Sequence, residues 1–174
     1  AIVVGCVAAA VFAERTAFFT VLAQPPLITA AVGATAVLLG KPLLNAVFVA
    51  AEFARGQAAQ RIVYSEAIFT AMIFIRIGMV PSAMWAALRR GLSAGGPDTT
   101  IAIVVDAIRD LGRAEADATL RLVEEADAPI VGLCLTGIEG TVPVETFVPF
   151  RAAARRLGLG FSVHAGEMGP PESI

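Results

Sequence analysis

The chain has 174 residues, of which 57% are apolar and 16% are charged, and its 13 basic and 15 acidic side chains give a net charge of −2 at pH 7. This length suits one domain with a core of ordinary size. The slightly acidic charge and the lack of a basic patch argue against nucleic acid as a partner. The apolar excess makes a membrane location the first alternative to consider.

The first 40 residues are the most apolar part of the chain. No charged residue occurs from Thr16 to Gly40, and this stretch is long enough to cross a bilayer. Pro25 and Pro26 interrupt it, because a double proline cannot continue a helix without losing backbone hydrogen bonds. We therefore predict two buried helices, Val11 to Leu22 and Ala30 to Leu39. An N-terminal half that spans a membrane stays as the less favoured alternative.

The middle of the chain begins an alternation of helix and strand patterns. Leu43 to Ala59 is typical of a helix, and Arg61 to Phe69 is a β-branched and aromatic run that predicts a strand. Pro81 to Ser93 predicts a helix with proline in its first turn, and we interpret Trp85 and the methionines as core residues. The chain is thus one domain with a helical part, residues 1–59, and an alternating part, residues 60–174.

The alternation continues to the end of the chain. Thr99 to Ile108 and Ile130 to Leu135 are apolar runs typical of strands buried on both faces, with Asp106 as one interruption. Phe147 to Leu157 predicts a helix, and Gly160 to Val163 predicts the last strand. Strands and helices that alternate through short links indicate parallel βαβ units.

Ala114 to Ala126 is an amphipathic helix between two of these strands, with Leu120 and Val123 directed inward. Its charged side chains are predicted to face water: Glu115, Asp117, Arg121, Glu124 and Glu125.

The two cysteines show no metal-ligand spacing. Cys6 and Cys134 lie far apart in the chain, and we interpret both as buried thiols. Thiols that stay reduced are consistent with a cytoplasmic location.

The one histidine of the chain stands at the end of the last predicted strand. His164 is followed by Ala-Gly-Glu, so Glu167 lies three residues later, between Gly166 and Gly169. Parallel α/β sheets carry out their chemistry at the C-terminal ends of the strands, where glycines allow sharp turns. A neutral imidazole is a good zinc ligand, and a carboxylate can transfer protons. The alternative for His164 is a packed, purely structural residue.

The residues around this motif resemble the adenosine deaminase family. In that family a strand that ends in a Gly-acid-Glu turn precedes a helix, and the next strand ends in His-Ala-Gly-Glu. Here Gly137-Ile138-Glu139 follows one predicted strand and His164 to Glu167 follows the next. The resemblance covers the C-terminal third closely and implies an α/β fold, a partial (β/α)8 TIM barrel with parallel strands and helices outside.

The same resemblance implies an activity and a set of site residues. The family hydrolyses adenosine or a related adenine nucleoside to the inosine-type product and ammonia with a zinc ion. His164 matches a zinc ligand, Glu167 matches the residue that handles a proton at the purine ring, and Gly137 matches a glycine whose backbone contacts a purine nitrogen. The implied partner is therefore a small purine nucleoside. Tyr64-Ser65-Glu66 also fits a family pattern, with Glu66 either a structural acid near the barrel rim or a solvated or helix-paired carboxylate.

The chain also departs from the family pattern. Cys134 stands where the family usually has an aspartate, and Ile138 stands where it has an acid, whereas Glu139 is retained. The family takes further zinc ligands from a His-x-His pair and an aspartate on other strands, and a single histidine cannot form a catalytic zinc site. We therefore expect an internal portion of the barrel, about its second to fifth strands. A degenerate, non-catalytic homologue is the alternative.

A four-stranded part of a barrel has two open edges and an uncovered inner face. Exposed strand edges pair readily with other chains. We therefore expect these 174 residues on their own to aggregate or to self-associate.

Overall fold

The computed structural model describes residues 42–166, which form a four-stranded parallel sheet. The strands in chain order are β1 Tyr64–Phe69, β2 Thr100–Ile108, β3 Ile130–Thr136 and β4 Gly160–Val163. Each strand pairs in parallel with the next one in sequence, so the sheet order is β1-β2-β3-β4. Sequential parallel strands joined by helices are the repeating unit of a (β/α) barrel, which confirms the predicted partial barrel.

The α-helices of this part of the chain are α1 Pro42–Ala59, α2 Ala71–Arg76, α3 Pro81–Leu92, α4 Gly112–Glu124 and α5 Val148–Arg156. The predicted bounds agree with the structure within two residues, except that β1 begins three residues later than predicted. The predicted helices Val11 to Leu22 and Ala30 to Leu39 lie outside the described residues. Between residues 42 and 166 no helix has both the length and the apolar character that crossing a bilayer requires.

Alternate side chains of the strands point to opposite faces of the sheet. One face packs against the helices and forms the core with α3, whose Met84 and Trp85 are almost fully buried as predicted. The strand residues of this core include Ile101, Ile103, Val105, Ala107, Leu133 and Leu135. The opposite face, which is the interior of a closed barrel, carries Asp106 beside Cys134. Cys134 is a buried free thiol, as predicted.

Helices α1 and α3 pack closely at Gly91. A Cβ atom at this position would lie 2.5 Å from the Cβ of Ala50 and 2.6 Å from the carbonyl oxygen of Val47. The absence of a side chain therefore lets the two helix backbones approach each other. This contact lies on the helical side of the sheet.

The prediction that Glu115 faces water is wrong. Its side chain is only 4% exposed and pairs with Nη2 of Arg76 at 2.5 Å. Arg76 ends α2, a six-residue helix that is too short to show helical periodicity in the sequence. The other charged residues predicted to face water are exposed or half-exposed: Asp117, Arg121 and Glu124 in α4, and Glu125 directly after it.

We expect Arg76→Ala to lower the free energy of unfolding by about 1–3 kcal/mol, because it leaves the buried Glu115 carboxylate without its counter-charge. Burial raises the pKa of Glu115, and Arg76 opposes that rise. The loss should therefore shrink as the pH falls and Glu115 becomes protonated. Urea unfolding at several pH values measures it.

The matched control for Arg76→Ala is Arg113→Ala. Arg113 pairs with Asp117 on the exposed surface of α4 at 3.3 Å. Such a pair contributes at most about 0.5 kcal/mol. Equal losses for the two variants at neutral pH would contradict the structural role given to Arg76.

Candidate functional site

His164 directly follows β4 at the C-terminal edge of the sheet. Its backbone N–H donates to the carbonyl oxygen of Leu135 on β3 at 2.9 Å, so the pairing of the two strands extends to the histidine. The side chain is half-buried. The structure therefore places the imidazole at the edge where the sequence predicted the chemistry, and its role as a metal ligand stays a prediction.

Gly137 follows β3 at the same edge of the sheet. Its φ of +94° lies in the region that favours glycine. A Cβ atom there would lie 2.3 Å from Oδ2 of Asp110. Because β3 and β4 are neighbours, the structure brings Gly137 and His164 to adjacent strand ends, as the motif predicted. The contact of Gly137 with a purine stays a prediction.

Two other acidic residues singled out in the sequence, Glu167 and Glu66, are not among the residues that the structure describes at this edge of the sheet. Glu167 lies outside the residues that the structure describes, so its role stays a prediction. Glu66 is exposed in the first half of β1, away from the C-terminal edge, and accepts a hydrogen bond from the Tyr64 hydroxyl at 2.8 Å. Glu66 therefore does not join Gly137 and His164 at the C-terminal edge.

A buried carboxylate, that of Asp106, lies on β2 two residues before the strand ends. Asp106 is 3% exposed, and its Oδ2 accepts a hydrogen bond from the Thr136 hydroxyl at 2.8 Å. Its Oδ1 has no hydrogen-bond partner within residues 42–166. Burial raises the pKa of Asp106, whereas its interactions with the side chains of Thr136 and Thr70 lower it.

The strand register places a carboxylate beside one departure from the family pattern. Asp106 lies directly beside Cys134, the position at which the family usually has an aspartate. The layer therefore keeps a carboxylate, but on the neighbouring strand. Sequence reasoning found no role for Asp106, although a single acid in an apolar run was a usable signal.

Arg109 and Asp110 follow β2 immediately, and sequence reasoning missed both. Arg109 is 6% exposed, and it donates from Nε to the carbonyl oxygen of Thr136 at 3.3 Å and from Nη2 to the carbonyl oxygen of His164. Asp110 accepts hydrogen bonds from the Ile138 N–H at 2.9 Å and from the Thr141 hydroxyl at 3.0 Å. The two residues thus connect the ends of three strands.

We expect Gly137→Ala to destabilise the protein by about 1–3 kcal/mol more than Gly158→Ala, because the new Cβ displaces Asp110 from its hydrogen bonds. Gly158 is a matched control: its φ is +70°, but nothing lies within 4 Å of a Cβ built there. It therefore reports only the cost of the backbone conformation, about 1–2 kcal/mol. Denaturant unfolding of both variants measures the difference. Equal losses would show that Asp110 does not hold this turn.

The described residues fit one ligand of a zinc site. His164 is an imidazole at a strand end, which is a common source of a catalytic zinc ligand. Between residues 42 and 166 there is no group of three or more His, Cys, Asp or Glu side chains placed to hold a metal ion. A complete zinc site would therefore need ligands from outside this range.

Sequence comparison finds relatives for most of the chain. The adenosine deaminase family model matches residues 36–174. The adenine deaminase of Chelativorans sp. (strain BNC1) is 30% identical over 120 residues, which are 67% of this chain and 37% of that protein. The adenine deaminase of Paraburkholderia phytofirmans is 31% identical over 121 residues, 67% of this chain and 35% of that protein. The chain thus spans little more than a third of the length of these curated relatives.

Solved structures show the same fold at lower identity. An adenine deaminase from Arthrobacter aurescens superimposes with a TM-score of 0.67 at 20% identity, over 75% of this chain and 41% of that one. An amidohydrolase from Burkholderia ambifaria, solved with bound zinc, gives a TM-score of 0.65 at 22% identity, over 71% of this chain and 35% of that one. The N6-methyl-AMP deaminase from Arabidopsis thaliana gives 0.64 at 22% identity, over 82% and 46%.

Proposed function

The chain belongs to the adenosine deaminase family, and from this premise we propose that the complete protein removes the exocyclic amine of an adenine ring by hydrolysis. The observation that supports this activity most is the placement of Gly137 and His164 at the ends of adjacent parallel strands, at one edge of the sheet. These two residues of the family pattern therefore lie on neighbouring strand ends.

The proposed substrate is adenosine or a closely related adenine nucleoside, which reacts with water to give the inosine-type product and ammonia. Free adenine is the second candidate, because both curated relatives named above are adenine deaminases. The two candidates share the reacting part of the molecule, the amine-bearing carbon and the adjacent ring nitrogen. The proposed site residues are therefore the same for both.

We infer that His164 provides one ligand of a zinc ion, which supplies an activated water when bound. The zinc in the Burkholderia amidohydrolase supports this inference. His164 is half-buried at this edge of the sheet. Its backbone pairing with Leu135 fixes where the side chain begins.

In the proposed mechanism Glu167 gives a proton to the ring nitrogen beside the amine-bearing carbon. The oxygen of water forms a bond to that carbon while the ring C=N electron pair moves to the nitrogen. One proton of the water passes to the exocyclic nitrogen, whose bond to the carbon then breaks so that ammonia leaves. The other proton returns to Glu167, and the carbon keeps the oxygen as a carbonyl. Gly137 contacts another purine nitrogen through its backbone, which no side chain obstructs.

The test is an assay of the complete purified protein with adenosine, adenine and AMP, followed by ammonia release and by the change in purine absorbance. We expect turnover of adenosine or adenine and about one zinc per protein by elemental analysis. A protein that binds zinc and deaminates AMP alone would replace the proposed substrate with a nucleotide. A properly folded protein that deaminates none of the three would favour the degenerate, non-catalytic homologue.

A further inference from the structure

Arg109 is an unusual residue for the place it occupies. Its side chain is 6% exposed, and burying a guanidinium is costly unless its N–H groups find acceptors. No ion pair joins it to any carboxylate of residues 42–166. Its described acceptors are instead two backbone carbonyl oxygens, those of Thr136 and His164.

Each of these carbonyls belongs to a peptide unit at a strand end. A peptide unit is planar, so fixing its C=O also fixes the N–H of the following residue. The Thr136 carbonyl shares its plane with the N–H of Gly137, and the His164 carbonyl shares its plane with the N–H of Ala165. One rigid guanidinium therefore orients the backbone at the starts of both turns that carry the family motifs.

Other hydrogen bonds hold further backbone groups of the same two turns, the N–H groups of His164 and Ile138. The backbone N–H of His164 is bonded to Leu135 at 2.9 Å, so both of its backbone polar groups have partners. Asp110 accepts from the N–H of Ile138, on the far side of Gly137. Arg109 thus donates both to the carbonyl at the end of β3 and to the carbonyl directly after β4.

We propose that Arg109 is a positioning residue that fixes Gly137 and His164 relative to each other, and so aligns the purine contact with the metal ligand. This inference rests on the proposed function for its catalytic consequence. The structural part, that one guanidinium holds two turns, can be measured without any substrate.

The test compares Arg109→Lys with Gly91→Ala in the complete protein. Lysine keeps the positive charge but lacks the planar fork that reaches two carbonyls at once. Gly91→Ala disturbs the α1–α3 contact, far from the sheet edge, and controls for general destabilisation. Hydrogen exchange is followed in the segments 136–141 and 163–166, together with kcat, KM and thermal stability.

We expect Arg109→Lys to speed hydrogen exchange in both segments and to lower kcat/KM by about 10–100-fold. This is the usual effect of replacing a residue that holds a metal ligand in place without binding the metal itself. Most of the loss should fall on kcat, and Gly91→Ala should show neither effect at temperatures where it stays folded. Unchanged exchange in either segment overturns the inference whatever the activity does. Faster exchange with unchanged kcat/KM also overturns the positioning role.

The two proposals fail in different ways. A wild-type protein that deaminates no purine refutes the proposed function, while the exchange measurement still decides whether Arg109 holds the two turns. A wild-type protein that is active, combined with an Arg109→Lys variant that matches it in activity and exchange, refutes only the positioning role.

Discussion

Glu167→Gln should lower kcat of the complete protein by about 10²–10⁴-fold, the usual contribution of a positioned general acid or base. Glutamine has nearly the same shape as glutamate and keeps a hydrogen-bonding group, but it cannot give or take a proton at neutral pH. We therefore expect KM to change much less than kcat. Steady-state ammonia release with the best of the tested purines measures both values.

The pH dependence gives an independent check on this role. If Glu167 transfers the proton, the rate of the wild type should change with pH through the ionisation of this carboxyl, and that limb of the profile should disappear in the variant. Glu125→Gln is the control, because Glu125 is exposed directly after α4. Activity equal to that of the wild type in Glu167→Gln would refute the proposed mechanism.

The parts of the fold that the sequence predicted well are those with local signals. The strand Gly160–Val163 has its predicted bounds because Gly158 ends the preceding helix and a short apolar run follows. The helix Pro81–Leu92 was predicted from proline at its start. Helix α2 was missed because six residues are less than two helical turns.

The error at Glu115 has the same origin. Amphipathic patterning assigns charged residues to the solvent side of a helix, and Glu115 follows the pattern in the sequence. Its partner Arg76 lies 39 residues earlier, on the helix that the patterns did not show. A buried ion pair of this kind is invisible without the tertiary contact.

The residues of the candidate site also divide into those with a local sequence signal and those whose position depends on contacts distant in sequence. Gly137 and His164 were predicted because short motifs carry them, and parallel strands then bring such motifs to one edge. Arg109 was missed because its two acceptors lie 27 and 55 residues away. Asp106 was missed because its position beside Cys134 depends on strand register.

His164→Ala should remove bound zinc from the complete protein. It should also reduce deamination by more than the 10–100-fold that is typical when a residue that only orients a metal ligand is replaced. A catalytic zinc normally has three protein ligands, so losing one of them should strongly weaken binding. The fold should survive, because the hydrogen bond from residue 164 to Leu135 uses the backbone N–H and not the imidazole. Elemental analysis after dialysis, ammonia release and circular dichroism measure the three effects.

The control for this variant must keep a side chain of similar size near the buried Asp106. His164→Asn does so without an imidazole, and it should also lose zinc, whereas a general packing defect would be milder in asparagine than in alanine. Loss of zinc in both variants, with the fold intact, identifies the imidazole as a ligand. If both variants keep their zinc and their activity, His164 is the packed structural residue of the alternative hypothesis. The metal would then be held entirely by residues outside 42–166, and the convergence of the two motifs at this edge would serve the purine alone.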